Sequence, residues 1–302
     1  MLKFLPDHLL SRQSRLDWVY PGKFFRLSTS LGLPVSLVLG GLMVLFMLLF
    51  IWVLPVFIEI DGNTIRGAVR LSPPGDLYWF GTDALGRDLF SRVVEGARLS
   101  VWISFLSTLC TAVVGIMLGL WSGYYEGWLD HLLSRIIEII LALPTLLLAI
   151  VLIARFGSSL PVLITALMIS GAPTFYRITR NETITIKRQP FVDAGRSIGL
   201  RNSTIIVRYI LLNIYPTLLT LFSIRMGNTL LIISGLGFIG LAVQPPQAEL
   251  GALLASGRDY FHTAWWLYLI PSGFILFIVL GFNLLGEGLR DWMDRFSYTA
   301  RY

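Results

Sequence analysis

Few residues in this chain have the type and spacing that chemistry requires. His8, His131 and His262 stand far apart, and no His-Glu-x-x-His or other metal-ligand spacing occurs. No glycine-rich phosphate loop of the Walker type is present, so the chain does not bind ATP in that way. Ser234-Gly235-Leu236-Gly237 lies in an apolar run, where small residues let helix backbones approach, and it reads as packing rather than a nucleophile site. The pair Gly115 and Gly119 reads the same way. No nucleophile–base or metal set emerges, which weighs against an enzyme. The single cysteine, Cys110, excludes an intrachain disulfide.

What stands out instead is a polar island between two long apolar runs, residues 177–216. Arg177, Arg180, Lys187, Arg188, Arg196, Arg201 and Arg208 outnumber Glu182 and Asp193 there. Its centre reads Asp193-Ala194-Gly195-Arg196-Ser197-Ile198-Gly199. A few residues suffice to turn a chain around, so a segment of this size points to docking on another protein. Pro190 suits the first turn of a helix. Phe191, Ala194, Ile198, Ile205, Ile206 and Tyr209 then form an irregular one-sided stripe, and Gly195 and Gly199 remove side chains on adjacent turns. A short helix with a small-residue face can seat in a partner's groove. Charge alone also allows a solvated basic loop beside anionic lipid.

The elements that must position this island are apolar. Hydrophobic residues make up 55% of the chain and charged residues 14%, against roughly 25% charged in a soluble domain. Six runs are long enough to cross a bilayer: Val35–Ile58, Leu99–Trp121, Ile136–Ala154, Leu160–Tyr176, Tyr215–Val243 and Ala264–Leu285. The expected class is an all-α integral membrane protein with six transmembrane helices. Basic residues gather in the N-terminal tail (1–34), the 177–216 loop and the C-terminal tail (289–302), which six spans place on one side. By the positive-inside rule that side is cytoplasmic, and the acidic 59–97 loop lies outside. The net charge of +6 is accounted for by this distribution and does not point to nucleic acid. Within the 59–97 loop, Asp83 to Ala97 is expected to be helical and interfacial. Trp265-Trp266, at a span start, is expected in an interfacial aromatic belt.

Three longer motifs carry a family resemblance. Phe80-Gly81-Thr82-Asp83-x-x-Gly86-Arg87-Asp88-x-x-Ser91-Arg92 precedes Gly96-Ala97-Arg98-x-Ser100. Leu236-Gly237-Phe238-x-Gly240-Leu241-x-x-Gln244-Pro245-Pro246 follows, and Phe282-Asn283-Leu284-Leu285-Gly286-x-Gly288-Leu289-Arg290-Asp291 closes the series. With Asp193-Ala194-Gly195-x-x-x-Gly199, these resemble the dipeptide/oligopeptide/nickel branch of bacterial ABC importer permeases, in its "C" subunit type. The likeness spans residues 71–295. The departures are Asp193 for Glu, Gly195 for Ala, Leu212 for a closing proline, and Glu249-Leu250-Gly251 for Glu-Trp-Gly.

The resemblance implies the ABC importer permease fold in a multi-pass protein of the bacterial inner membrane. A permease core over 98–288 would pair with a second permease subunit. The 187–212 segment would lay a coupling helix, with Pro190, Phe191, Asp193, Ala194, Gly195 and Gly199, against one of the cytoplasmic ATPase subunits. ATP and Mg would be held by those subunits and no cofactor by this chain, while an extracytoplasmic solute-binding protein delivers di- or oligopeptides. Nickel chelates, glutathione-like peptides or antimicrobial peptides are alternative cargoes, and an ion-coupled stand-alone transporter is disfavoured by the docking loop. A pathway for peptides must accommodate carboxylates and amides. Arg225 and Asn228, three residues apart in the fifth span, and Glu138 in the third are candidates to line it. Each has an alternative: a structural ion pair of Glu138 with Arg135, and for Arg225 a charge on another helix or snorkelling.

Overall fold

The computed structural model describes residues 33–58, 60–62, 64, 70–243 and 246–299, without side chains beyond 294. The N-terminal tail up to 32 and the Gln244-Pro245 dipeptide lie outside the described residues.

Nine helices follow in order among the described residues. Helix α1 runs Val35–Phe57 and α2 Leu89–Tyr125. A bent pair comes next, α3 at Trp128–Leu141 and α4 at Thr145–Phe156. Then come α5 at Leu160–Lys187, α6 at Pro190–Ser197, α7 at Asn202–Phe238, α8 at Leu250–Gly257 and α9 at Trp266–Thr299. Five of these are long and apolar enough to cross a membrane, and the bent pair makes a sixth crossing if its halves form one span.

The third apolar run is not the single straight span its composition suggests. Its halves meet at 91°, because Pro144 offers no N–H and drives the residue before it out of the helical region. The polar stretch before the second run is not a separate interfacial helix either. Asp88 caps α2 by accepting from Ser91 N at 2.9 Å and Ser91 Oγ at 2.6 Å. From Leu89 no breaker interrupts the chain, so α2 continues for 37 residues. That is about 55 Å of helix, well beyond the bilayer core. Similarly, only 188–201 separates α5 from α7, much less than 177–216, because both helices extend past their apolar parts. Helix α7 accommodates Pro216 just after a π-helical turn at Ile205–Leu211.

Two close seams organise the bundle. Gly115, Gly119 and Gly123 of α2 face α5, and a Cβ on Gly119 would lie 2.7 Å from Thr179 Cβ and 2.8 Å from the Tyr176 carbonyl. Gly40 of α1 likewise admits the backbone of Leu284 and Leu285 of α9, and Gly288 of α9 that of Leu37. Small residues supply close contact where lipid gives helices no hydrophobic reason to associate.

The first resemblance motif acts as a turn device. Asp83 gathers Leu85 N, Arg87 N and Arg87 Nε within 2.7–2.9 Å and so folds the loop above α2. Trp266 is buried beneath that loop, its indole N–H donating to Thr82 O at 3.4 Å, so only Trp265 is placed for an aromatic belt.

Candidate functional site: the α6 segment and the intramembrane charges

Helix α6 starts at Pro190, whose missing N–H costs nothing at a first turn. Asp193 lies in that turn and Arg196 in the last, both complementing the helix dipole. They also pair with each other at 3.3 Å, in the open. The end is a Schellman turn: Gly199 N donates to Arg196 O at 2.9 Å and Leu200 N to Gly195 O at 3.1 Å. Gly199 has φ +81 and stands outside the helix. Its role is therefore conformational, not the small second step of a docking face. Gly195 turns inward, where a Cβ would meet Leu200 Cδ1 at 3.3 Å and the Tyr209 ring at 3.8 Å. The expected two-glycine face is replaced by an inner seat, because one turn of helix carries residues 195 and 199 to different surroundings once the chain reverses between them.

The inner anchor of α6 is Val192, fully buried with Ile205, Ile210 and Ile214. The sequence stripe thus divides. Ile205 supports α6 from beneath, and Phe191 stacks on Tyr209 at 6.4 Å. Pro190, Phe191, Asp193, Ala194 and Ile198 are exposed, Ile198 at 75%. A helix of eight residues held by one buried valine presents an apolar strip with one carboxylate to the outside.

The intramembrane candidates are not brought together. Glu138 pairs with Arg135 at 3.0 Å on an exposed face of α3. Arg225 of α7 is half-buried and its guanidinium donates to Thr174 Oγ1 of α5. Among the described residues it has no carboxylate partner, and Asn228 is exposed.

Two buried carboxylates, Asp130 and Glu249, are structural centres to which the sequence reading gave no role. Asp130, 2% exposed, takes both Arg180 Nε and Nη2 at 2.5 and 2.6 Å and accepts from Ser122 Oγ. The Tyr176 hydroxyl bonds Ser122 at 2.7 Å and Ser134 at 3.0 Å, so α2, α3 and α5 meet at this one network. Glu249, fully buried, caps α8 by accepting from Gly251 N and Ala252 N, each at 2.9 Å, and from Ser100 Oγ at 3.0 Å. Burial pushes its carboxyl above its ordinary pKa, against the pull of those donors. The sequence signal for Asp130 was a lone acid beside an apolar run, while Glu249 stood in the Glu249-Leu250-Gly251 motif with no role assigned. No group of three His, Cys, Asp or Glu able to hold a metal occurs among the described residues.

Comparison with known proteins fits this architecture. The chain is 40% identical to a dipeptide transport system permease protein of Alkalihalophilus pseudofirmus over 74% of each chain. It is 36% identical to a glutathione transport system permease protein of Pectobacterium atrosepticum, covering 85% of this chain and 86% of that one. Against a probable D,D-dipeptide transport system permease protein of Escherichia coli the identity is 36%, over 87% and 88%. The fold is similar to an inward-facing structure of the MetNI methionine ABC transporter, at a TM-score of 0.53 and 18% identity, over 65% of this chain and 93% of that one. Residues 115–296 match the family described as binding-protein-dependent transport system inner membrane component. With its membrane-spanning bundle and these relatives, the chain belongs to that family and is a multi-pass transport permease.

Proposed function

We propose that this chain is one of two paired permeases in an ATP-driven importer of di- or oligopeptides, glutathione-like peptides included. Both termini and the 188–201 segment face the cytoplasm, and the loops at 59–88 and 239–265 face outward, as the basic residues at the ends of the spans favour. The observation that carries the reading is the exposed strip of α6, Phe191, Ala194 and Ile198 with Asp193, held out by a buried Val192. It suits a groove on a cytoplasmic ATPase subunit. ATP and Mg belong to that subunit, and a solute-binding protein delivers cargo to the outer face. The cargo class follows the dipeptide and glutathione permeases that the chain resembles.

ATP-driven closure of the ATPase pair moves α6, and the bundle re-packs to alternate access. Arg225 and Asn228 line the pathway, where the guanidinium can meet a peptide carboxylate by a charge-assisted hydrogen bond. Glu138, already paired with Arg135, contributes less.

The docking reading is tested by Phe191→Asp combined with Ala194→Asp. Both side chains are exposed, so the permease should fold normally, while the ATPase should no longer co-purify and dipeptide uptake should stop. A doubly substituted permease that retains its ATPase in full would refute the docking role of α6.

A further inference from the structure

The end of α2 touches the α6 segment at three places through one side chain. Tyr124 is 5% exposed. Its ring centre lies 5.5 Å from Lys187 Nζ and 5.6 Å from the Arg196 guanidinium carbon. Its hydroxyl donates to Asn202 Oδ1 at 2.8 Å. Lys187 ends α5, Arg196 lies in the last turn of α6, and Asn202 begins α7. A single aromatic residue therefore meets the chain before, within and after the docking helix. Lys187 Nζ also donates to the Tyr124 carbonyl and to Glu126 Oε1, the latter at 3.1 Å.

Glu126 is the second observation. It sits at φ 54 and ψ −158, a conformation that non-glycine residues hold only against strain. Gly127 follows at φ 90. Glycine would fit position 126 without strain, yet the residue there places a carboxylate on the ammonium that precedes α6. Two residues before Tyr124, Ser122 donates to Asp130, so the same turn of α2 reaches the first turn of α3.

We propose that Tyr124 and Glu126 form a clasp that positions α6 on the bundle and passes its movement to α2 and, through Ser122 and Asp130, to the bent span. The inference rests on the docking role of α6. Cations over a ring face and a directed hydroxyl fix orientation, which apolar packing of the same volume does not. Tyr124 is thus a positioning residue for coupling rather than a contact for cargo or ATPase.

The test uses the complete transporter in liposomes, with the second permease, the ATPases and the binding protein, and reads dipeptide taken up per ATP hydrolysed. Tyr124→Leu should keep the ATPase bound and hydrolysing while this ratio falls roughly tenfold. Tyr124→Phe, which retains the ring, should recover most of it. Glu126→Gly should raise the unfolding temperature yet lower the ratio, whereas a merely structural role moves both in one direction. An unchanged ratio in Tyr124→Leu, or in Glu126→Gly, overturns the clasp. Should Tyr124→Leu fail to fold, Lys187→Met with Arg196→Met decides the matter by the same ratio. Failure of the docking role is seen separately, as ATPase retained by the Phe191→Asp, Ala194→Asp permease whatever the Tyr124 variants do.

Discussion

Arg180 and Arg225 are both half-buried on helices that cross the membrane, yet their surroundings differ in kind. Arg180 lies in the α2–α5 seam, where Asp130 takes it with two hydrogen bonds and Ser122 completes the acid's shell. Three glycines draw the helices together on the same seam. Arg225 lies between α7 and α5 with one neutral hydroxyl, Thr174, as its acceptor among the described residues. A cation taken from water needs compensation. At Arg180 that compensation is built in, and the charge is spent on holding helices together. At Arg225 it is incomplete among the described residues, which is the basis for proposing that this charge acts on cargo.

The contrast breaks most visibly at Asp130. Asp130→Ala leaves Arg180 unpaired in the seam and should destabilise the purified permease by about 3–5 kcal/mol, read by thermal unfolding. Asp130→Leu with Arg180→Met removes both charges and should recover most of that loss. Unfolding unaffected by Asp130→Ala would show that the pair does not hold the seam. Next in size is Gly119→Leu, whose side chain must displace the Tyr176 backbone and Thr179. Overpacking of this kind costs roughly 1–3 kcal/mol, and the unfolding temperature should fall accordingly.

Arg225→Gln should behave in the opposite way. Its stability should change by no more than about 1 kcal/mol, since one hydrogen bond to a neutral hydroxyl is lost. Uptake of a dipeptide with a free carboxylate should fall several-fold, and Arg225→Lys should restore part of it, because the charge returns without the planar fork. A large stability loss in Arg225→Gln would make Arg225 a structural charge like Arg180. The smallest effect is expected at Glu138. Its pair with Arg135 is exposed, so Glu138→Gln should leave unfolding unchanged and lower uptake little. A loss of uptake as large as that of Arg225→Gln would instead make Glu138 an equal partner in the pathway.

Much of the fold was legible because the bilayer sets a length and a hydropathy that each span must meet. The apolar runs, the helix starting at Pro190 and the close approach at Gly115 and Gly119 follow from local composition and from the helical period. The bend at Pro144 was open to the same reasoning, since proline acts on its own turn, but the run's hydropathy concealed it. The division of the α6 stripe was not legible. Phe191 and Val192 are adjacent and both apolar, and which of them faces the bundle depends on where the Schellman turn sends Leu200 and Ile205.

The sequence by itself determined the class of this protein, its long apolar helices and the place of the short helix at Pro190, because periodicity, caps and hydropathy are properties of neighbouring residues. Only the tertiary structure decided what each charge meets. Asp130 and Arg180 are 50 residues apart, and Ser100 and Glu249 are 149 apart. No local pattern relates such pairs, and whether a buried charge is compensated depends on which helices the fold brings side by side.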